Sequence, residues 1–175
     1  MTILVTGGCG FIGTNFISNW FRRTDEPIVN IDCMTYAANT ACLDHPPNKN
    51  LTNVNVDITD SQMVGEILHA HNPRAIVHFA AESHVDRSIA SADQFITTNI
   101  NGTYALLVNA LSYLERAGHD IGDSFRFIHV STDEVFGSLQ PNESGFNETT
   151  AYKPNSPYSA SKAASDHLVR CYYET

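Results

Sequence analysis

The chain has 175 residues, 42% of them apolar and 17% charged, which fits a soluble globular domain with a sizeable core and excludes a disordered chain. Ten basic residues against 19 acidic ones leave a net charge of −9, which argues against nucleic acid as a partner, because phosphate-backbone binding needs a basic face. Small anionic ligands stay admissible, since backbone N–H groups and helix N-termini hold phosphates locally. Cys9, Cys33, Cys42 and Cys171 form no CxxC pair and the eight histidines are scattered, so no metal site is expected. No charged n-region or long apolar run opens the chain, so neither a signal peptide nor a membrane span is expected, and a reduced, cytoplasmic setting is the default.

Taken in order, the first predicted strand is "TILVTG" (2–7), and "VTGGCGFIG" (5–13) runs from it into a helix over 11–23. Gly7, Gly10 and Gly13 give a GxxGxxG spacing, a looser relative of the GxGxxG dinucleotide fingerprint. Glycines there permit a tight turn, let the backbone approach a pyrophosphate and let the helix pack close to the sheet. A glycine-rich turn without a ligand is the plain alternative for such a motif standing alone. The second strand, "PIVNID" (27–32), supports the ligand, because it ends on Asp32, where an acid accepts hydrogen bonds from an adenosine ribose. A carboxylate there repels a 2′-phosphate, so NAD is expected rather than NADP. The segment 34–50 reads as a loop or short helix ending at Pro46-Pro47. A third strand, "NVNVDI" (53–58), closes on Asp57 near the expected adenine, followed by a helix over 60–72 and a fourth strand, "AIVHFA" (75–80). The stretch 93–118 reads as one long helix stopped by Gly118, and a fifth strand, "RFIHVS" (126–131), follows. The alternation predicts an α/β fold, a doubly wound parallel sheet of Rossmann type binding NAD.

Two later segments carry chemistry. "STDEVFG" (131–137) puts Asp133 and Glu134 directly after a strand, either as a solvated turn or as an acid and a base. Strand geometry points neighbours to opposite faces, so both serve one ligand only if the strand ends at about Thr132, as is expected. The segment 137–157, rich in Gly, Pro, Asn and Ser, reads as a long loop of the functional or disordered kind. "SPYSASKAASDHL" then sets Tyr158 and Lys162 four residues apart on one helical face. They are either ordinary residues of an amphipathic helix or a catalytic pair. In the second case the ammonium and a cationic nicotinamide would lower the phenol from its usual value near 10.

"TGGCGFIG", "HFAAESHVDRSI", "STDEVFG" and "PYSASKAASDHLVR" together resemble the extended short-chain dehydrogenase/reductase family, and within it the group of dTDP-glucose 4,6-dehydratases, over nearly the whole chain. The resemblance implies a hydro-lyase that converts dTDP-glucose to dTDP-4-keto-6-deoxyglucose by oxidation at C4, elimination across C5–C6 and return of the hydride to C6. It gives Tyr158 the 4-hydroxyl proton with Lys162 beside it, Thr132 a bond to the same hydroxyl, Glu134 the C5 proton and Asp133 the departing 6-hydroxyl. It assigns Gly7, Gly10, Phe11, Ile12, Gly13, Asp32, Cys33, Met34, Thr35, Asp57, Ile58, Phe79, Ala80, Ala81, Thr98, Tyr158 and Lys162 to the NAD site. Ser83, His84 and Thr132 are assigned to the sugar nucleotide. Cys33 departs from the lysine usual after the ribose-binding acid, and Phe136 from a more usual tyrosine.

Residues 1–175 are therefore expected to be a partial NAD-binding Rossmann domain, ending after the fifth strand and its helix, with the substrate-binding domain lying beyond. As such the chain alone is expected to be inactive. The resemblance also implies a homodimer, paired through the helices of 91–117 and 155–173. An epimerase or decarboxylase of the same superfamily, or a non-catalytic dinucleotide sensor, are the competing readings; the first has no need of Asp133 and Glu134, and the second has no need of Tyr158 and Lys162.

Overall fold

A computed structural model of the chain describes residues 1–39, 49–117 and 124–175. These fall into two compact units, one of residues 1–80 and 105–130, the other of 81–104 and 131–175. The expected Pro46-Pro47 and Gly118 stops lie outside the described residues.

The first unit holds the sheet. Strands β1 (Thr2–Thr6), β2 (Ile28–Asp32), β3 (Leu51–Asn55), β4 (Pro73–His78) and β5 (Arg126–His129) are all parallel, in the order β3-β2-β1-β4-β5. The strand order reverses beside β1, which is where open α/β sheets bind ligands. Residues of β1 alternate between two cores. Ile3 and Val5 join Ile17, Phe16 and Trp20 of α1 (Phe11–Phe21) on one face. Leu4 joins Val64 and Leu68 of α2 (Ser61–His71), with Leu106 and Tyr113, on the other. Because both faces are covered, the central strands read as unbroken apolar runs, whereas the edge strands β3 and β5 are only partly buried.

Three strand boundaries differ from expectation. β3 spans Leu51–Asn55, so Asp57 lies in a turn beyond the strand instead of closing it. β4 begins at Pro73, directly after Asn72 ends α2 in the left-handed conformation, and stops at His78. Proline is tolerated there because the first residue of a strand can spare its N–H. β5 stops at His129, three residues short of Thr132.

The second unit is helical. It contains α3 (Val85–Ala90) and a helical run that opens with one α-turn, Asp93–Phe95, and a π-helix, Ile96–Gly102. The run continues as α4 (Thr103–Ala117), which passes into the first unit at Ala105. The expected long helix is thus present, with an unexpected π-helical segment inside it. After β5 come a 3-10 turn, Asp133–Phe136, and α5 (Pro157–Glu174). Ser156 and Ser159 form a reciprocal capping box at the start of α5, with Pro157 in the first turn where its missing N–H costs nothing. The loop 137–156 folds back on the 3-10 turn: Lys153 N–H donates to the Val135 carbonyl at 2.9 Å, and Phe136 packs against Phe146 and Tyr152. Among the described residues no helix is long and apolar enough to cross a membrane.

Candidate functional site

In the first unit, the chain leaving β1 turns through Gly7 at φ +72, a conformation that favours glycine. A Cβ on Gly7 would stand 2.5 Å from the Ala80 nitrogen, and one on Gly13 would collide with the Gly7 carbonyl oxygen. The loop is held from β2. Asn30, fully buried, accepts from Gly8 N–H at 2.9 Å and donates to the Asn53 side chain at 3.0 Å. One oxygen of Asp32 accepts from Cys9 N–H and the other from Met34 N–H, each at 2.9 Å. Each of those carboxylate oxygens keeps a further lone pair for a ligand hydroxyl. α1 follows its N-cap Gly10 without a side-chain cap bond, and its first turn carries Phe11, which is 85% exposed, and Ile12, also exposed. A backbone cradle with no room for side chains and an uncapped helix start fits a pyrophosphate.

The other residues expected at the nucleotide are unevenly disposed. Cys33 and Thr35 are exposed, while Met34 is half-buried with φ +53. Asp57 is exposed and accepts from the N–H and hydroxyl of Thr59, at 2.9 and 2.8 Å, forming the turn into α2. Ile58 is buried in the core beside Val64 and Leu68, which leaves its backbone alone to meet a ligand. Phe79 packs at a tilt against Phe16 with ring centroids 5.3 Å apart, and Ala80 N–H donates to the Thr6 hydroxyl at 3.3 Å. The same hydroxyl lies 2.6 Å from His78 Nδ1, so the C-terminal ends of β1 and β4 are tied together.

In the second unit the expected chemical residues come together. Asp133 and Glu134 do not continue the strand but open the 3-10 turn, with Thr132 as its N-cap and the Thr132 hydroxyl accepting from Glu134 N–H at 3.3 Å. Consecutive residues of a 3-10 turn stand about 120° apart, so both exposed carboxylates can address one ligand, which a strand would prevent. The Tyr158 phenol is raised above its ordinary 10, mainly by burial and also by the charges of Glu134, Asp133 and Asp166, against a lowering hydrogen bond with Thr132. Burial leads here, and the lowering expected from Lys162 together with a cationic nicotinamide belongs to the cofactor-bound site. Lys162 is 4% exposed, and burial pulls its ammonium down to about 8, against an opposing pull upward from Asp166. Ala81 is half-buried, Ser83 and His84 are exposed, and His84 stands at the N-cap position of α3 without a side-chain capping bond; Thr98 is half-buried in the π-helix.

Three residues were not anticipated. Asn30 anchors the glycine loop; the available signal was one amide inside the apolar run "IVNID". Asn99, buried in the π-helix, accepts from Glu82 N–H and donates to the Glu82 carbonyl, each at 2.9 Å, and donates to Ser161 at 2.8 Å. It thereby joins the segment holding Ala81 and Ser83 to the first turns of α5. Asp166 accepts the hydroxyls of Ser131 and Tyr152.

The family model described as GDP-mannose 4,6 dehydratase matches residues 4–175. A dTDP-glucose 4,6-dehydratase from Salmonella typhimurium is 49% identical over 100% of this chain and 51% of its own. The solved structure of a dTDP-glucose 4,6-dehydratase from Streptomyces venezuelae, with NAD bound, superposes with a TM-score of 0.87 at 42% identity, covering 100% of this chain and 52% of the other. A Thermus thermophilus UDP-glucose 4-epimerase in complex with NAD superposes at 0.84 with 26% identity, over 99% of this chain and 51% of the other. The chain spans about half the length of the curated relatives it matches. The resemblance read from the motifs is borne out by these relatives, and so is the Rossmann-type parallel sheet. Matched from its first strand to its last residue, the chain belongs to the GDP-mannose 4,6 dehydratase family.

Proposed function

We propose that the chain carries the cofactor-binding and catalytic residues of an NAD-dependent dTDP-glucose 4,6-dehydratase. The observation that supports this most is the 3-10 turn, which offers two adjacent carboxylates beside the Thr132–Tyr158 hydrogen bond. Elimination across C5–C6 needs a base and an acid on neighbouring carbons of one sugar, and an epimerase needs no such pair.

The glycine cradle fits NAD, with Gly7, Gly10, Phe11, Ile12 and Gly13 at the pyrophosphate and Asp32 at the adenosine ribose. When bound, NAD⁺ supplies the hydride acceptor for C4 and, once reduced, the hydride donor for C6. Tyr158 takes the 4-hydroxyl proton, with Thr132 bonded to the same oxygen and the Lys162 cation favouring the phenolate. The C4 ketone acidifies the hydrogen at C5, Glu134 removes it, and Asp133 protonates the 6-hydroxyl, which leaves as water; once C6 has its hydride, a proton returns to C5. Ser83 and His84 bind the sugar nucleotide. The same reading makes the protein a cytoplasmic homodimer, and the exposed apolar Val108 and Leu111 on α4 support pairing through that helix.

The test is a chimera in which this chain replaces the matched half of the Salmonella typhimurium relative. With NAD⁺ and dTDP-glucose it is expected to release a sugar nucleotide lighter by one water, seen by mass spectrometry. Glu134→Gln should slow that loss at least about 100-fold, the usual contribution of a general base. A folded, NAD-binding chimera without product, or an unaffected Glu134→Gln variant, defeats the reading.

A further inference from the structure

α5 presents a third polar residue in line with Tyr158 and Lys162. Asp166 lies one turn beyond Lys162, on the same helical face, and is half-buried. Its Oδ2 accepts the Ser131 hydroxyl at 2.6 Å and the Tyr152 phenol at 2.9 Å. These two donors come from either side of the acid turn. Ser131 immediately precedes Thr132, whereas Tyr152 belongs to the loop 137–156 that returns over the turn. The Tyr152 ring packs edge-on against Phe136, the last residue of the turn, and at a tilt against His167 on α5, with centroids 5.2 Å apart in both cases. One carboxylate oxygen therefore restrains the turn at its entry directly and at its exit through an aromatic contact.

We propose that Asp166 is a positioning residue for the reaction: it clamps the turn bearing Thr132, Asp133 and Glu134 to the helix bearing Tyr158 and Lys162. The inference rests on the dehydratase reading for what those residues do, while the clamp itself is a property of the fold.

The chemistry suits a carboxylate. Two hydroxyls converge on one oxygen, which an anion accepts more strongly than an amide does. Tyr152 is pushed up to about 12 by burial and by Asp166, so its phenol stays a donor at any working pH. The charged groups on helices and turns packed against α5 are Asp86 and Arg87 on α3, Asp93 in the short α-turn, and Asp133 and Glu134 on the acid turn, while the loop that brings Tyr152 carries Glu143, Glu148 and Lys153. Of the charges within reach, Asp166 acts on Lys162, while Asp133, Glu134 and Asp166 act on Tyr158.

The chain has three lysines, Lys49, Lys153 and Lys162, so the titration of Lys162 can be followed by carbon-13 NMR of labelled lysine side chains. In the parent its midpoint is expected at about 8. Asp166→Asn is expected to move that midpoint to lower pH, because removing the anion leaves burial unopposed. Ser131→Ala combined with Tyr152→Phe keeps the anion and should leave the midpoint in place. In the chimera, Asp166→Asn and the double variant are each expected to lower kcat at least about tenfold with KM nearly unchanged, as misplacement of catalytic groups does. An unmoved midpoint in folded Asp166→Asn overturns the placement of that carboxylate within reach of Lys162, and an unchanged kcat in the double variant overturns the clamp. Should Asp166→Asn fail to fold, the double variant alone decides the clamp. A parent chimera without product defeats the dehydratase reading instead, and the Lys162 midpoint still judges Asp166.

Discussion

Gly10 and Gly13 share one motif but meet different surroundings. A Cβ on Gly13 would collide with the Gly7 carbonyl, a backbone atom that cannot swing aside, whereas one on Gly10 would meet the same oxygen at 3.3 Å. Gly10 also has φ −75, open to any residue. Gly13→Ala is therefore expected to cost about 1–3 kcal/mol by overpacking, with loss of NAD⁺ binding in calorimetric titration. Gly10→Ala should fall within about 1 kcal/mol. Equal losses in urea denaturation would show that packing between loop and helix is not what separates the two glycines. The motif was legible because glycine spacing is a local code. Asn30 was not, because its importance lies in Gly8 N–H, a partner 22 residues away in sequence. Likewise the adjacency of Asp133 and Glu134, and the end of the strand before them, were legible, but the 3-10 turn that carries them was not. The 3-10 turn depends on the Thr132 cap, a contact that periodicity cannot reveal.

At the level of elements, the π-helix is the feature that pattern alone could not supply. The apolar spacing across 93–117 is helical, yet the extra residue per turn at Ile96–Gly102 goes with an Asn99 side chain that lies buried instead of outside. Asn99 satisfies both backbone groups of Glu82, so removing its amide leaves two polar groups without that partner. Asn99→Ala is expected to destabilise the chain by about 1–3 kcal/mol, measured by chemical denaturation. A cost below about 0.5 kcal/mol would mean that the segment 81–83 finds other partners. The central strands were legible because burial on both faces forces unbroken apolar runs. Edge strand β3 was misplaced by two or three residues because "LTNVNVDI" has no such constraint, and its boundary follows from pairing with β2.

For the molecule as a whole, the buried Lys162 couples stability to pH. Its ammonium is held at about 8 against an ordinary 10.5, so between those values the unfolded chain binds the extra proton. Unfolding free energy therefore rises with pH across that window, in the amount of about 3 kcal/mol for a shift of this size. Relative to a Lys162→Met variant, which lacks the titration, the parent should gain that stability between pH 8 and 10.5 and none of it below. Thermal melting of both proteins across the range checks this, and parallel curves would exclude a depressed Lys162.

Synthesis imposes an order on the same sheet. Of the five strands β1 is made first, yet its second neighbour, β4, begins only at Pro73. The nucleotide loop likewise waits for Ala80, and Thr6 waits for His78. A nascent chain that stops short of Pro73 has β1 paired on one side alone, with an apolar edge open to other strands. Shielding of that edge during translation, by a chaperone or by the speed of elongation, thus matters more than for a hairpin sheet, whose neighbours emerge in succession.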